Sequence, residues 1–324
     1  MCTAATYLTK DFYFGRNLDL EYSYHETVTI TPRNFPFQFR NGKQLDHHYA
    51  LIGMSTVVDG YPLYYEATNE VGLSLAGLNF PDNAVYFPEN SKKSNIAPFE
   101  LIPWILGQCA TVRDARKFLS RLNLWNVPFS DAFPISPLHW LLADKNESLT
   151  LESTARGLEI YENPVGILTN NPPFDFQMYN LANFMNLSTR KPVNHFSNKI
   201  ELTPYSLGMG AIGLPGDLSS PSRFVKAAFT KLNSISGSAE SESISQFFHI
   251  LASVAQQRGL TAVRDEEYEF TLYSSCCNTD KGIYYYTTYE NSQISGVDMH
   301  KENLDGKEII TYPLITGQQI HMQN

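Results

Sequence analysis

The order of strand-like and helix-like segments is the feature that most constrains this fold. The 324-residue chain opens with a run of alternating, β-rich segments and then switches repeatedly between helix and strand patterns. Strand patterns occupy residues 3–8, 12–18, 26–31, 49–58, 63–67, 73–79, 139–144, 148–153, 158–161, 269–278, 282–289 and 293–299. Helix patterns occupy residues 98–106, 111–122, 174–185, 220–232 and 243–257. This order lacks the strict strand–helix alternation of a parallel sheet. It predicts an α+β fold in which two largely antiparallel sheets pack together under outer helices.

Composition and charge exclude several classes of protein. The net charge of −9 provides no basic surface for nucleic acid. The longest apolar neighbourhood, residues 101–110, is broken by Pro103 and Gly107 and is too short to span a bilayer. No secretory leader pattern opens the chain, and no linker or repeat divides it. We therefore expect one domain in a cytoplasmic protein that does not insert into membranes.

The cysteines and histidines do not have metal-binding spacings. Cys2, Cys109, Cys276 and Cys277 form no CxxC pair, and the eight histidines are dispersed except for His47 and its neighbour. Adjacent cysteines on a strand point to opposite faces, so the pair at 276–277 is not expected to form a disulfide. We predict no metal and no cofactor, with the cysteines reduced.

Cys2 becomes chemically unusual if Met1 is removed. A small second side chain permits that removal, which would leave a thiol and a free α-amine on one residue. Their ordinary pKa values are about 8.5 and about 7.7–8.0, so the amine can activate the thiol without a histidine. The simpler interpretation is a small apolar residue that begins a buried strand.

The neighbouring strand offers two groups that such a nucleophile needs. If residues 3–8 and 12–18 form a hairpin, Arg16 and Asp19 return to the start of the chain. A guanidinium at this position would favour the Cys2 thiolate, and the carboxylate could accept a hydrogen bond from the α-ammonium. The hairpin favours the interpretation that Arg16 and Asp19 form a site with Cys2 over the interpretation that they are two unrelated surface charges.

Five sequence blocks distributed along the chain resemble the choloylglycine hydrolase family, and within it the bile salt hydrolases of gut bacteria. They are MCTAATYLTKDFYFGRNLD at 1–19, NEVGLSLAGLNF at 69–80, GILTNNPPFD at 166–175, GLPGDLSSPSRF at 213–224 and KGIYYYTTYENSQI at 281–294. The resemblance implies an N-terminal-nucleophile hydrolase with a four-layer αββα sandwich. It also implies a homotetramer, with a projecting segment at residues 186–205.

The resemblance further implies a role for each matching residue. Cys2 is the nucleophile, Asn79 donates to the tetrahedral oxyanion, and Asn170, with Asn171 beside it, bonds to the α-amine or the tetrahedral oxygens. Arg223 holds the network around the nucleophile in place. The implied catalytic set is Cys2, Arg16, Asp19, Asn79, Asn170 and Arg223.

A conjugated bile salt, the substrate that the resemblance implies, needs an apolar slot for its steroid. We expect that slot on loops that follow strands, and especially at residues 125–137, where prolines and aromatic residues are concentrated. The candidate contacts are Leu18, Tyr24, Met54, Tyr65, Phe129, Phe133 and Ile135.

Three alternatives remain distinct from this hypothesis. A penicillin V acylase would share the fold and the catalytic set. A non-catalytic carrier of apolar ligands would keep the aromatic loops but would not need a processed Cys2. A papain-like hydrolase is disfavoured because Cys109 lacks the expected local motif.

Overall fold

The computed structural model describes residues 1–324, which form nineteen strands and five α-helices. The strands, β1 to β19 in chain order, are Cys2–Leu8, Phe12–Leu20, Thr27–Thr31, Phe37–Gln38, Gln44–Leu45, Leu51–Val58, Tyr61–Asn69, Ser74–Asn79, Ser94–Ile96, Leu122–Leu124, Leu138–Ala143, Ser148–Thr154, Gly157–Glu162, Ile167–Leu168, Thr261–Arg264, Glu267–Asn278, Ile283–Thr288, Ser295–Asp298 and Ile310–Pro313. The helices, α1 to α5, are Leu101–Leu106, Val112–Leu119, Phe174–Leu181, Ser220–Asn233 and Glu240–Ala252. Short 3₁₀ turns cover Pro98–Glu100, Ala182–Phe184, Met209–Ala211 and Met299–Lys301.

Two large antiparallel sheets carry the structure. The first has seven strands in the order β14-β1-β2-β16-β17-β18, with β15 added beside β16. The second has eight strands in the order β13-β12-β11-β8-β7-β6-β3-β19. The N-terminal hairpin therefore lies inside the first sheet, because β1 is flanked by β14 and β2 by β16.

The sheets pack face to face between two helical layers. Strands β1 and β2 contact β8 across the sandwich, while α4 and α5 cover the outer face of the first sheet. Helix α1 covers β7 and β8 on the outer face of the second sheet. One apolar core joins both sheets with α4 and α5, and a second core lies between the eight-stranded sheet and the α1–α2 pair. The predicted α+β four-layer sandwich is confirmed.

Most predicted elements are present, and the differences have local causes. Thr111 caps α2 by accepting the Asp114 N–H at 3.1 Å, which fixes the start of the helix predicted at residues 111–122. Helix α5 begins at Glu240 rather than Ser243, because the Glu242 carboxylate accepts the Ala239 N–H and closes an earlier turn. Seven strands of two to four residues were not predicted, because segments this short show no measurable periodicity: β4, β5, β9, β10, β14, β15 and β19. No helix in the structure has the length and apolar character needed to cross a bilayer.

Candidate active site

Cys2 is the first residue of β1 and is 3% exposed. Its register partner in β2 is Leu18, and Ala4 faces Arg16, so the side chains of Cys2, Arg16 and Leu18 project from the same face of the sheet. Gly15 permits this arrangement, because a Cβ atom there would lie 2.0 Å from the Ser275 carbonyl oxygen of β16. The N-terminal hairpin that the sequence predicted thus places the arginine beside the cysteine.

Arg223 holds the backbone of Cys2. It lies in the first turn of α4, is fully buried, and donates from Nη1 to the Cys2 carbonyl oxygen at 2.6 Å and to Thr3 Oγ1 at 2.7 Å. Its Nη2 donates to Asn170 Oδ1 at 2.8 Å. The planar guanidinium fork therefore joins three separate segments of the chain at the nucleophile.

Asn170 binds the nitrogen of the same residue. The Cys2 N–H donates to Asn170 Oδ1 at 2.8 Å, and Asn170 Nδ2 donates to the Asn79 carbonyl oxygen at 2.6 Å. The first residue of α4 fixes this segment, because Ser220 Oγ accepts the Asn170 N–H at 2.8 Å. Asn171 points elsewhere and donates to the Pro81 carbonyl oxygen. Of the two adjacent asparagines, only Asn170 contacts the nucleophile.

Asp19 lies on the opposite face of β2 from Arg16, toward the helical layer. Its carboxylate accepts from Thr271 Oγ1 at 2.6 Å and from Gln256 Nε2 at 3.2 Å. A bulge between Thr271 and Tyr273 in β16 sets this alignment. The expected contact between this carboxylate and the Cys2 nitrogen is absent while Met1 is attached, because Cys2 then has a single amide N–H, which Asn170 accepts.

Arg16 is buried between the two sheets. Its Nη1 donates to the carbonyl oxygens of Gly77 at 2.5 Å and Tyr65 at 3.1 Å, both in the facing sheet. Burial by itself would lower the pKa of this guanidinium. The neighbouring negative groups, with Cys2 first and then Tyr273, Glu66 and Asp19, instead raise its pKa. Arg16 therefore projects from the same face of the sheet as Cys2, with its guanidinium held by carbonyl oxygens of the facing sheet.

Asn79 ends β8 and is exposed, unlike the other five residues of the predicted catalytic set. Its carbonyl oxygen accepts from Asn170, which ties the end of β8 to the Cys2 segment. Its side chain makes no hydrogen bond within the protein and is free to meet a ligand. The structure thus brings all six predicted catalytic positions around one end of the β1–β2 hairpin.

The predicted substrate contacts divide into two groups. Leu18, Met54 and Tyr65 were expected on loops, and this was wrong, because they lie within β2, β6 and β7. The first two are buried in the core between the sheets, where strand alternation turns apolar side chains inward. Tyr24 and the 125–137 segment do lie on loops, as expected.

The 125–137 loop forms an aromatic cluster with its neighbours. The Phe129 ring lies 5.3 Å from that of Phe99, 5.8 Å from that of Tyr61 and 6.2 Å from that of Phe133, centroid to centroid. The Arg40 guanidinium lies 5.5 Å from the Phe129 centroid. Ile135 is half-buried on the same loop. A cavity of about 390 Å³ lies elsewhere, in the exposed 194–201 segment, and contains no predicted site residue.

A buried carboxylate beside the site was missed by the sequence analysis. Glu66 in β7 is 1% exposed and lies 3.9 Å from Arg16 Nη1. The available indication in the sequence was that β7, with the sequence YPLYYEATN, contains a single charged residue. No group of three or more histidine, cysteine or acidic side chains is arranged to hold a metal ion.

Comparison with known proteins identifies the family. Residues 2–312 match the family profile described as linear amide C-N hydrolases, choloylglycine hydrolase family. The chain belongs to the choloylglycine hydrolase family. The predicted membership and the predicted enzyme class are both confirmed.

Relatives within the choloylglycine hydrolase family match the chain over nearly its whole length. A bile salt hydrolase/transferase of Lactiplantibacillus plantarum is 58% identical, with 100% of both chains covered. One from Clostridium perfringens is 40% identical over 96% of each chain. The crystal structure of a cysteine-to-alanine variant of the conjugated bile acid hydrolase from Clostridium perfringens has a TM-score of 0.92 at 39% identity, covering 100% of both chains. These matches confirm the N-terminal-nucleophile hydrolase fold.

A penicillin V acylase from Agrobacterium tumefaciens also shares the fold. Its structure has a TM-score of 0.75 at 19% identity and covers 97% of this chain and 92% of its own. At this identity the likeness concerns the arrangement of sheets and helices only.

Proposed function

We propose that this chain, after removal of Met1, hydrolyses the amide bond of glycine- or taurine-conjugated bile salts with Cys2 as nucleophile. The substrate class comes from the names of the family members that match it over nearly their full length. One observation carries the catalytic assignment. Buried side chains from two distant segments, Asn170 and Arg223, bind the backbone nitrogen and carbonyl oxygen of Cys2.

Removal of Met1 is chemically required by this proposal. With Met1 attached, the Cys2 nitrogen is an amide and has no basic lone pair. Release of Met1 converts the Cys2 nitrogen into an amine that lies beside the thiol and still faces Asn170 Oδ1. Asp19 supplies the negative charge that favours the ammonium form. The working protein is then one domain of residues 2–324.

The proposed reaction has two stages. The Cys2 thiol passes its proton to the α-amine, and the sulfur attacks the amide carbon to form a C–S bond and an oxyanion. The ammonium then protonates the leaving nitrogen, the C–N bond breaks, and glycine or taurine departs. Water adds to the thioester, and collapse releases the free bile acid and restores the thiol.

Asn79 is the proposed oxyanion donor. Its exposed position at the end of β8 leaves the side-chain amide available to a bound carbonyl oxygen. Loss of one such donor typically costs about 2.7–4 kcal/mol of transition-state stabilisation. Arg16 stabilises the thiolate, and Arg223 keeps the Cys2 backbone in register.

The steroid is proposed to lie along the apolar side of the nucleophile. Leu18 is the register partner of Cys2 and shares its face, while Met54 pairs with Glu66 in the facing sheet. Tyr65 Oη bonds with Thr56 Oγ1 at 2.9 Å, and Thr56 Oγ1 donates to the Tyr24 carbonyl oxygen. Phe129, Phe133 and Ile135 are proposed to supply the loop wall of this slot.

A pair of matched cysteine variants tests the proposal. Cys2→Ser should abolish glycine and taurine release from glycocholate and taurocholate, with circular dichroism unchanged. Cys109→Ser alters a buried thiol of the second core, where burial raises the thiol pKa to about 12, and should retain activity. Substantial release by folded Cys2→Ser protein would refute the nucleophile. A protein that carries an extension before Cys2 should be inactive.

Two measurements separate the remaining alternatives. Faster cleavage of a phenoxyacetyl amide than of any bile conjugate would favour a penicillin V acylase. Intact-mass measurement separates the enzyme from a carrier. The enzyme is expected to lack the mass of Met1, whereas a carrier does not need that removal.

We also propose that the protein is a cytoplasmic homotetramer. Residues 186–205 contain no helix or strand. This segment and its flanks expose many large apolar side chains: Phe176, Tyr179, Met185, Val193, Phe196, Ile200, Leu202, Tyr205, Leu207 and Ile212. An apolar surface of this extent is typical of an interface with another protein. Self-association through it accounts for its exposure in the single chain.

A further inference from the structure

Glu66 is held by hydroxyl groups from the opposite sheet. Its Oε1 accepts from Ser275 Oγ at 3.0 Å and from Tyr284 Oη, and its Oε2 accepts from Tyr273 Oη at 2.8 Å. All three donors belong to β16 and β17, whereas Glu66 belongs to β7. Burial raises the pKa of the Glu66 carboxyl, whereas the facing Arg16 guanidinium and the three hydroxyl donors lower it. A carboxylate that accepts three hydroxyl hydrogen bonds and faces a guanidinium is arranged to carry a negative charge, and we take the ionised form from this geometry.

The deeply buried charges around the nucleophile balance one another. Arg16 and Arg223 are 1% and 0% exposed, and Asp19 and Glu66 are 0% and 1% exposed. The other titratable groups that face Glu66 are Tyr273, Tyr284 and Cys277. Glu269 lies at the rim, against the Met1 amine. Two positive and two negative side chains that are at most 1% exposed therefore belong to the network that contains Cys2, and Glu269 beside them is 9% exposed.

This balance matches what the proposed reaction requires. Cys2 has to exist both as thiol with amine and as thiolate with ammonium, two states of equal net charge. An uncompensated guanidinium would favour the thiolate and disfavour the ammonium. That would weaken the amine as a base and the sulfur as a nucleophile, since thiolate nucleophilicity falls with basicity.

We propose that Glu66 is a positioning residue for the hydrolysis, which acts through Arg16 by offsetting its charge at Cys2. The inference rests on the proposed function and names a residue outside the set that the sequence indicated. Its effect is electrostatic, because the Arg16 guanidinium keeps its place without Glu66. The carbonyl oxygens of Gly77 and Tyr65 bind Nη1, and that of Asn17 binds Nε.

The test is the pH dependence of Cys2 alkylation in Glu66→Gln protein whose Met1 is shown by mass to be absent. Iodoacetamide forms an S–C bond with the thiolate and releases iodide, and peptide mass spectrometry resolves Cys2 from the other cysteines. The midpoint should move to lower pH by about one unit, the size expected for loss of a nearby unit charge. With glycocholate, kcat should fall about tenfold while KM is unchanged.

Two further variants separate charge from structure. Tyr284→Phe keeps the Glu66 carboxylate but removes one donor to its ionised form, so a smaller shift in the same direction is expected. Glu100→Gln alters a carboxylate of the second core that is equally buried and should leave the alkylation midpoint unchanged. Alkylation needs no bile salt, so this result is independent of the substrate assignment. If the pH midpoint of Cys2 alkylation in folded Glu66→Gln and Tyr284→Phe proteins equals or exceeds that of the wild-type protein, the inference is overturned.

Discussion

The Arg223 guanidinium binds the Cys2 carbonyl oxygen at 2.6 Å, although 221 positions separate the two residues in the chain. The same side chain binds Asn170, which accepts the Cys2 N–H. The backbone of Cys2, the proposed nucleophile, is therefore held by one buried cation in the first turn of α4.

We expect Arg223→Lys to lower kcat for glycocholate by about 10- to 100-fold, the effect of losing one or two charge-assisted hydrogen bonds. A lysine presents one ammonium and cannot reach Cys2, Thr3 and Asn170 together. Steady-state kinetics on protein of unchanged circular dichroism provides the measurement. Arg156→Lys, at an exposed arginine, is the control. Equal kcat in the two variants would contradict the role of Arg223.

The adjacent asparagines supply a matched pair. Asn170→Ala removes the acceptor of the Cys2 N–H and the donor to Asn79, so release of glycine should fall by at least about 100-fold. Asn171→Ala removes only a bond to the Pro81 carbonyl oxygen and should retain most activity. Measurement of kcat/KM for the two proteins checks the expectation. Similar decreases in kcat/KM for both would contradict it.

Lys231 should make stability depend on pH in the alkaline range. Burial lowers the pKa of its ammonium from 10.5 to about 8 in the folded protein. Below about pH 8 both folded and unfolded chains are protonated, and the full cost of burying the charge is present. Between about pH 8 and about pH 10 the unfolded chain binds more protons, so the free energy of unfolding rises.

Lys231→Met should remove this rise. Urea unfolding of both proteins across that range gives the difference between their free energies of unfolding at each pH. The tyrosines titrate in both proteins and cancel, so the slope of this difference with pH reports Lys231 alone. The variant also loses the bonds to Thr6 and to the Val165 carbonyl oxygen, which shifts its stability at every pH. Parallel curves for the two proteins would rule out a lowered pKa.

The apolar 186–205 segment should control assembly. Phe196→Asp and Tyr205→Asp place charges on side chains that are 81% and 85% exposed, and together they should convert the proposed tetramer to smaller species. Light scattering coupled to size exclusion measures the mass. Ile235→Asp, at an 88% exposed position outside the segment, should leave assembly intact. A wild-type mass for the double variant would exclude this surface.

Local sequence was sufficient for the N-terminal hairpin. The strand patterns at residues 3–8 and 12–18 indicated β1 and β2, and their pairing is present in the structure. Sequence blocks that resemble the family located Asn79, Asn170 and Arg223. Each of these lies at an element boundary, where residue type is closely tied to backbone geometry.

Long-range pairing was not accessible in the same way. The placement of β2 beside β16, and with it the contact of Asp19 with Thr271, depends on residues about 250 positions apart. The contact between Glu66 and the Tyr273 hydroxyl forms only when the two sheets pack together, so the pattern of β7 alone could not identify this residue. Leu18 and Met54 lie in β2 and β6, where strand periodicity and not the need for a pocket decides the position of an apolar side chain.

The position of the nucleophile in β1 also sets an order in time. Cys2 opens β1, the first strand of the fold, yet β2 gains its outer neighbour only when residues 267–278 have been added. Arg223 and Asn170 likewise appear after more than half of the chain has been made. A nascent chain that stops short of β16 carries the thiol without its surroundings. The surroundings of Cys2 are therefore completed only late in translation, by segments far along the chain from it.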